Sequence, residues 1–423
     1  MAISKRNNQI LIIIYLSIIL GFFLSEDTLG GAYSDYETLN HIAYKFKNNF
    51  WITLLNYDEL NHRQSPVFYI FKSLFLNLNE NIQRLLFLHI FLLIPLFFYK
   101  CLKIVFKNID KKILKLISLL IILLPTFRSY SIWPDPHLMG TLFFLISIFY
   151  FLKFKNNPKD YIYVLLNTLF LALSAYFSPN FGLFVIFFIY QFYKNLGFSL
   201  RLNYIFLLNI FLSLPFFYYI FILDINFIFS NTHWDIGKNF YSLNSISNKF
   251  IIITSLIFFY LIPFIFLLKI NINYNFFIKN KIYYIFYLII FLIFCYFFKF
   301  SDVYDLTNSG GGFFFNISKT VFDNNLLLFI VSFFAGLYLI QTFILNKENL
   351  ILFLVLILSN PQLTIWQANF SPTLFIMIYL LFDLNFITKK LDIKFIKFQY
   401  FYFLGYLVAN YIYKYDISKS VFF

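Results

Sequence analysis

Residues 128–154 read RSYSIWPDPHLMGTLFFLISIFYFLKF. The stretch opens as a compact polar turn carrying Arg128, Trp133, Pro134, Asp135 and Pro136. From Leu138 to Leu152 there is then no charged residue, and Lys153 and Lys155 close the run. A run this long and uniform reads as a bilayer-crossing helix rather than a strand. The same punctuation repeats along the chain. It predicts spans near 9–24, 84–101, 113–127, 138–153, 161–177, 181–193, 203–223, 250–268, 282–299, 325–345, 350–360, 371–386 and 398–413. The expected fold is therefore an all-α, polytopic helical bundle of about 12–13 spans, a single membrane domain over 1–423.

Composition points to the same class. Of 423 residues, 61% are hydrophobic and only 12% charged, with 66 Phe and 33 Tyr. This excludes a disordered or collagen-like chain and argues against a soluble globule, which could not cover so much apolar surface. The net charge of +14 does not point to nucleic acid, because the lysines are dispersed between apolar runs. Cys101 and Cys295 both sit in apolar runs and form no metal-binding spacing. The run 10–24, although preceded by Lys5 and Arg6, reads as a retained first span rather than a cleaved leader.

The charges offer a check on topology. With the N-terminus cytoplasmic, alternation places 21 of the 33 Lys and Arg residues inside, and 14 of the 19 acids outside. The basic bias follows the positive-inside rule. The acidic skew puts the carboxylates on the outer face. Most of the polar chemistry lies in the first outer loop, 25–83. A first surface helix is expected from Ser34, with Ser34 and Glu37 as a capping box and Leu39, Ile42, Ala43 and Phe46 as its apolar face. A second begins at Ser65-Pro66, an N-cap followed by proline, and runs for about 14 residues. Residues 84–195 form the next group of spans and 196–423 the remainder.

Several segments together resemble the opening of the GT-C glycosyltransferases that use polyprenyl-phosphate sugars, including protein O-mannosyltransferase-like and aminoarabinose-transferase-like members. They are SDYE (34–37), HRQSPVFYIFKSLF (62–75), NENIQRLLFLHIF (79–91), RSYSIWPDPHLMGTLFFLISIFYFLKF (128–154), YFSPNFGLFVIFF (176–188) and, as a late outer loop entering a span through a proline, NPQLTIWQANFSPTLFIMIYLLF (360–382). The resemblance covers roughly 10–195. The chain departs from the pattern in three places: the paired carboxylates are split as Asp35-x-Glu37, His62 stands four residues before Pro66, and Trp133 occupies the place of an arginine.

Transfer from a lipid phosphate needs a carboxylate to deprotonate the acceptor hydroxyl and cations to neutralise the departing phosphate. The resemblance implies Asp35 as the base, with a helix-terminal acid as the alternative reading. Glu37 is either a second catalytic carboxylate or the capping acid. His62, Arg63, Arg84, Arg128 and Asp135 are the candidate substrate-binding residues. The plainer reading of Arg128 and Asp135 is an interfacial ion pair beside a Trp133 anchor. A divalent cation bridged by Asp35, Glu37 and Asp135 is left open, and no other cofactor is expected. Gly310-Gly311-Gly312, ahead of Phe313–Phe315, suggests a mobile lid.

The expected activity is transfer of a sugar from a polyprenyl-phosphate donor to a glycan, lipid or polypeptide acceptor, at the outer face of a bacterial inner membrane. The expected partners are those substrates and membrane lipids, with no nucleic acid. The rivals are a polysaccharide polymerase or ligase, and a transporter or flippase. Against the last, the chain has no internal repeat and few mid-span charges.

Overall fold

The computed structural model describes residues 2–60, 62, 64–227, 242–268, 274–300, 310–360, 365–384 and 391–414, and the side chains of most of these. Among the described residues every regular element is helical. Two compact units emerge, Met1–Ser230 with Leu391–Phe423, and Asn231–Lys390.

The first unit runs α1 (Ala2–Phe23), α2 (Ala32–Asn48), α3 (Phe50–Leu55), α4 (Pro66–Ser73), α5 (Glu80–Phe91), α6 (Leu93–Val105), α7 (Lys111–Leu119), α8 (Pro125–Ile132), α9 (Pro136–Asn156), α10 (Ile162–Phe177), α11 (Phe184–Leu196) and α12 (Leu200–Phe217). The helix Ile393–Lys414 returns to this unit, where Tyr400 Oη donates to Leu116 O (2.9 Å) and Asn410 Nδ2 to Thr28 O (2.6 Å).

Helix starts follow local chemistry. Asp135 caps α9 by accepting from His137 N at 2.7 Å, with Pro136 at the first helical position. Ser65 caps α4 in the same manner through Val67 N (3.3 Å). That helix ends at Ser73, well short of the 14 residues expected. α9 is the enclosed centre of the unit, packed along α6 and α10.

α2 departs from expectation. It starts at Ala32, so Ser34 lies inside it and no capping box forms. Asp27 does the work instead: its carboxylate accepts from Leu29 N, Gly30 N and Tyr33 N. Leu39, Ile42, Ala43 and Phe46 are all buried as one face, but α2 packs against α4, so that face is covered by protein rather than turned to a membrane surface.

Among the described residues, five helices are long and apolar enough to cross a membrane: Glu80–Val105, Pro136–Asn156, Leu200–Ile222, Leu243–Ile265 and Leu326–Leu345. A sixth arises if Lys111–Leu123 and Pro125–Ile132, bent by 66°, count as one. This is fewer than the thirteen runs read from sequence. The apolar runs 161–177 and 181–193 fold into the helices Ile162–Phe177 (16 residues) and Phe184–Leu196 (13 residues). At about 1.5 Å per residue these fall short of a hydrocarbon core of about 30 Å. Run 113–127 is interrupted where Pro125 opens a new helix.

In the second unit α13 (Leu243–Leu268) packs with Lys281–Phe297 and Leu326–Leu345. Ser332 Oγ donates to Ile251 O (2.8 Å). Gly310, Gly311 and Gly312 all hold positive φ (104°, 71° and 80°), which only glycine adopts readily. The described end of this loop is held by two hydrogen bonds, Gly311 N to Ile365 O (2.7 Å) and Phe313 N to Gln367 Oε1 (2.9 Å), while 301–309 lie outside the described residues.

Candidate functional site

The turn after α1 carries a residue that sequence reading passed over. Glu26 is buried and takes a two-pronged grip on Arg128 of α8, with Arg128 Nε to Oε1 and Nη2 to Oε2 both at 2.5 Å. Arg128 also donates to Ser17 Oγ (3.2 Å) and Ser17 O (3.0 Å) on α1. Trp133 Nε1 donates to Glu26 O at 3.1 Å. Gly21 makes the room: a Cβ there would lie 2.1 Å from Glu26 Oε2. Beside the pair, Thr28 Oγ1 donates to Pro125 O (3.0 Å) and meets Ser129 Oγ at 2.8 Å. Arg128 thus fastens α1 to α8. Its guanidinium is spent on Glu26 and Ser17, and it pairs with neither Asp135 nor an open phosphate site. Trp133, expected as an interfacial anchor, is buried at the centre of this joint.

A second, differently composed group gathers around Trp133 and Tyr36. The Arg84 guanidinium lies 3.5 Å over the Trp133 ring and its Nε donates to Ile132 O (3.0 Å), while its Nη2 is buried without a partner. Tyr36 packs on Trp133 at 5.5 Å, and Lys72 of α4 sets its Nζ 3.8 Å over the Tyr36 ring. Lys72 is 1% exposed and its Nζ has no hydrogen-bond partner. Ring contacts hold both side chains in place and leave N–H donors unspent.

Asp35 and Asp135 close the group. Burial pushes Asp135 up to about 7; the amide of His137 and the charge of Lys72 oppose this, and the charge of Asp35 adds to it. Asp35 presents open surface, yet protein atoms crowd around its carboxylate. Loss of water there, with the charge of Asp27, pushes it up to about 6. Burial holds Lys72 down at about 7, against the pull of Asp135 and Glu80. Asp135 feels the charge of both Asp35 and Lys72, and the three proton affinities lie near neutrality, where acid–base function is most effective. Deeper in, Tyr69 Oη meets His62 Nδ1 at 2.7 Å and Tyr57 Oη donates to Gln64 O at 2.6 Å.

The sequence-predicted residues therefore separate. Asp35, Asp135 and Arg84 belong to one neighbourhood. His62 is engaged by Tyr69, and burial lowers its pKa to about 4, so it is neutral at pH 7. Glu37 is exposed and accepts from Tyr33 Oη at 2.5 Å, and the Tyr33 ring packs on Trp133 at 4.8 Å, so Glu37 stands one contact out from the group. Arg63 lies outside the described residues. Among the described residues no three His, Cys, Asp or Glu side chains gather to hold a metal, so Asp35, Glu37 and Asp135 do not form the cation site left open above. Lys72 and Glu26 were missed. Lys72 had a signal, an isolated charge within the apolar pattern of α4. Glu26 had none, because its partner lies 102 residues away.

The chain matches no family model, and no curated protein or solved structure is detectably similar to it.

Proposed function

We propose that this chain is a multi-span integral membrane glycosyltransferase that moves a sugar from a polyprenyl-phosphate donor to a glycan, lipid or polypeptide acceptor. We place it in a bacterial inner membrane with the N-terminus cytoplasmic and the site on the outer face. The observation that carries the reading is the group of two carboxylates with raised proton affinity beside a buried, unpartnered lysine, set at the start of the apolar helix α9. Asp35, at the open edge, takes the acceptor hydroxyl proton. Asp135 holds a proton or a charge according to what binds beside it. Lys72 and the free Nη2 of Arg84 offer donors to the departing phosphate, whose charge would restore the ammonium form of Lys72. Arg128 has no part in the chemistry; it holds the scaffold.

The test is transfer in proteoliposomes supplied with a lipid extract containing polyprenyl-phosphate sugars. Asp35→Asn is expected to lower the rate by about 10²–10⁴-fold, the usual worth of a general base. Lys72→Met is expected to weaken donor use, and Glu37→Gln to leave transfer unchanged. An unaffected Asp35→Asn would move the base elsewhere. Absence of transfer across a panel of lipid-linked sugars and acceptors would sink the reading.

A further inference from the structure

With the apolar face of α2 turned into the protein, the first loop keeps a different apolar surface. It is α3, which the sequence reading did not single out. Trp51 is 71% exposed and Ile52 63%, with Leu55 and Phe50 also open. Lys45 and Lys47, on the last turn of α2, are exposed beside them. Only Thr53 of this helix is buried. Asp58 and Glu59 follow in the next turn, so the patch is apolar and amphoteric rather than strongly basic.

The position of the patch says what covers it. Tyr219 Oη donates to Leu54 O at 2.5 Å, tying α3 to the C-terminal end of the apolar segment Leu200–Ile222. That segment is long enough to cross a bilayer, and only 11% of its apolar window is buried in the protein. Its last turns leave Tyr218, Phe221 and Ile222 exposed. A short helix fixed to the end of such a span lies at the depth where hydrocarbon gives way to headgroups. Tryptophan, tyrosine and snorkelling lysine are the side chains that favour this zone.

We infer that α3 is a foot that inserts Trp51, Ile52 and Leu55 into the headgroup layer of the bilayer, with Lys45 and Lys47 meeting phospholipid phosphates. The foot anchors the loop that carries Asp35 and Lys72 at the level of lipid-borne phosphate. This rests on the membrane reading above, but not on the glycosyltransferase reading.

The experiment uses the full chain in nanodiscs of phosphatidylethanolamine and phosphatidylglycerol. The Trp51 signal is taken as the difference between wild type and Trp51→Phe, which keeps the apolar surface. Lipids brominated near the glycerol backbone are expected to quench that signal by more than half, and lipids brominated at the chain ends much less. Lys45→Gln with Lys47→Gln is expected to reduce the shallow quenching, more so in phosphatidylglycerol-rich discs. A Trp51 signal unquenched at every depth, in protein that resists carbonate extraction, overturns the foot while leaving the membrane reading intact. Release by carbonate overturns both. A Trp51 signal that is blue-shifted yet unquenched, with cross-linking through Trp51→Cys, would assign the surface to a second copy instead and overturn the proposal.

Discussion

Removing the Glu26 side chain tests whether Arg128 is scaffold or ligand clamp. In Glu26→Ala the guanidinium, 5% exposed, loses both carboxylate contacts and keeps only Ser17 Oγ and Ser17 O. Breaking a buried ion pair by deleting one partner costs about 3–5 kcal/mol, since the remaining charge is left uncompensated. At about 1.4 kcal/mol per tenfold, the folding equilibrium falls by roughly a hundred- to a few thousand-fold. The Trp133 Nε1 bond goes to the backbone oxygen of Glu26, so the substitution leaves it in place and the loss isolates the pair. Arg128→Met should cost a similar amount by stranding Glu26. The double variant Glu26→Leu/Arg128→Met should be less destabilised than the sum of the two, because apolar residues of similar volume can replace a buried pair with little penalty. The assay is reversible unfolding in mixed micelles titrated with sodium dodecyl sulfate, followed by circular dichroism. Refutation would be a Glu26→Ala stability within about 0.5 kcal/mol of wild type, the range of ordinary surface changes. So would an Arg128→Met protein of full stability that no longer uses the donor.

Gly21→Ala should destabilise by about 1–3 kcal/mol, because its Cβ would press to 2.1 Å from Glu26 Oε2, and should fail to add to Glu26→Ala in the same unfolding assay. Asp135 binds its proton more tightly folded than unfolded, so it lowers stability as pH rises from about 4 towards 7, and fully above that. Asp135→Asn, which can still cap α9, should therefore raise the thermal midpoint at pH 8 by the equivalent of at most about 4 kcal/mol, and change it little below pH 4. Lys72 runs the other way: its lowered affinity costs stability as pH falls from about 10.5 towards 7, so Lys72→Met should stabilise the protein at pH 6 and add nothing near pH 11. Thr28→Val, which strips a buried hydroxyl from Pro125 O and Ser129 Oγ, should lower stability by about 1–2 kcal/mol.

The two charge substitutions are expected to stabilise the fold while removing groups assigned to the proposed transfer. A carboxyl and an amine held where burial disfavours their charged forms lower stability in the resting protein. Asp135 and Lys72 fit that description, and Glu26–Arg128 does not: both of its charges are satisfied by each other. This difference in pairing is why two buried arginines, Arg84 and Arg128, equivalent in sequence terms, part company.

What the amino-acid order determined by itself is local. Fifteen uncharged residues from Leu138 to Leu152 make α9 helical and apolar. Ser65-Pro66 starts α4, and spacing alone places Leu39, Ile42, Ala43 and Phe46 on one buried face of α2. Capping and periodicity act over a few residues, so they can be read from a single segment. Tertiary structure decided what each face meets and which charge finds which. α2 spends its apolar face on α4 and leaves α3 open, and apolar runs that look like spans close early as short helices. Glu26 reaches Arg128 across the intervening chain, while Asp35, Lys72 and Asp135 converge from three separate elements. Such pairings depend on through-space distance and on the removal of water, and no periodicity along the chain encodes either.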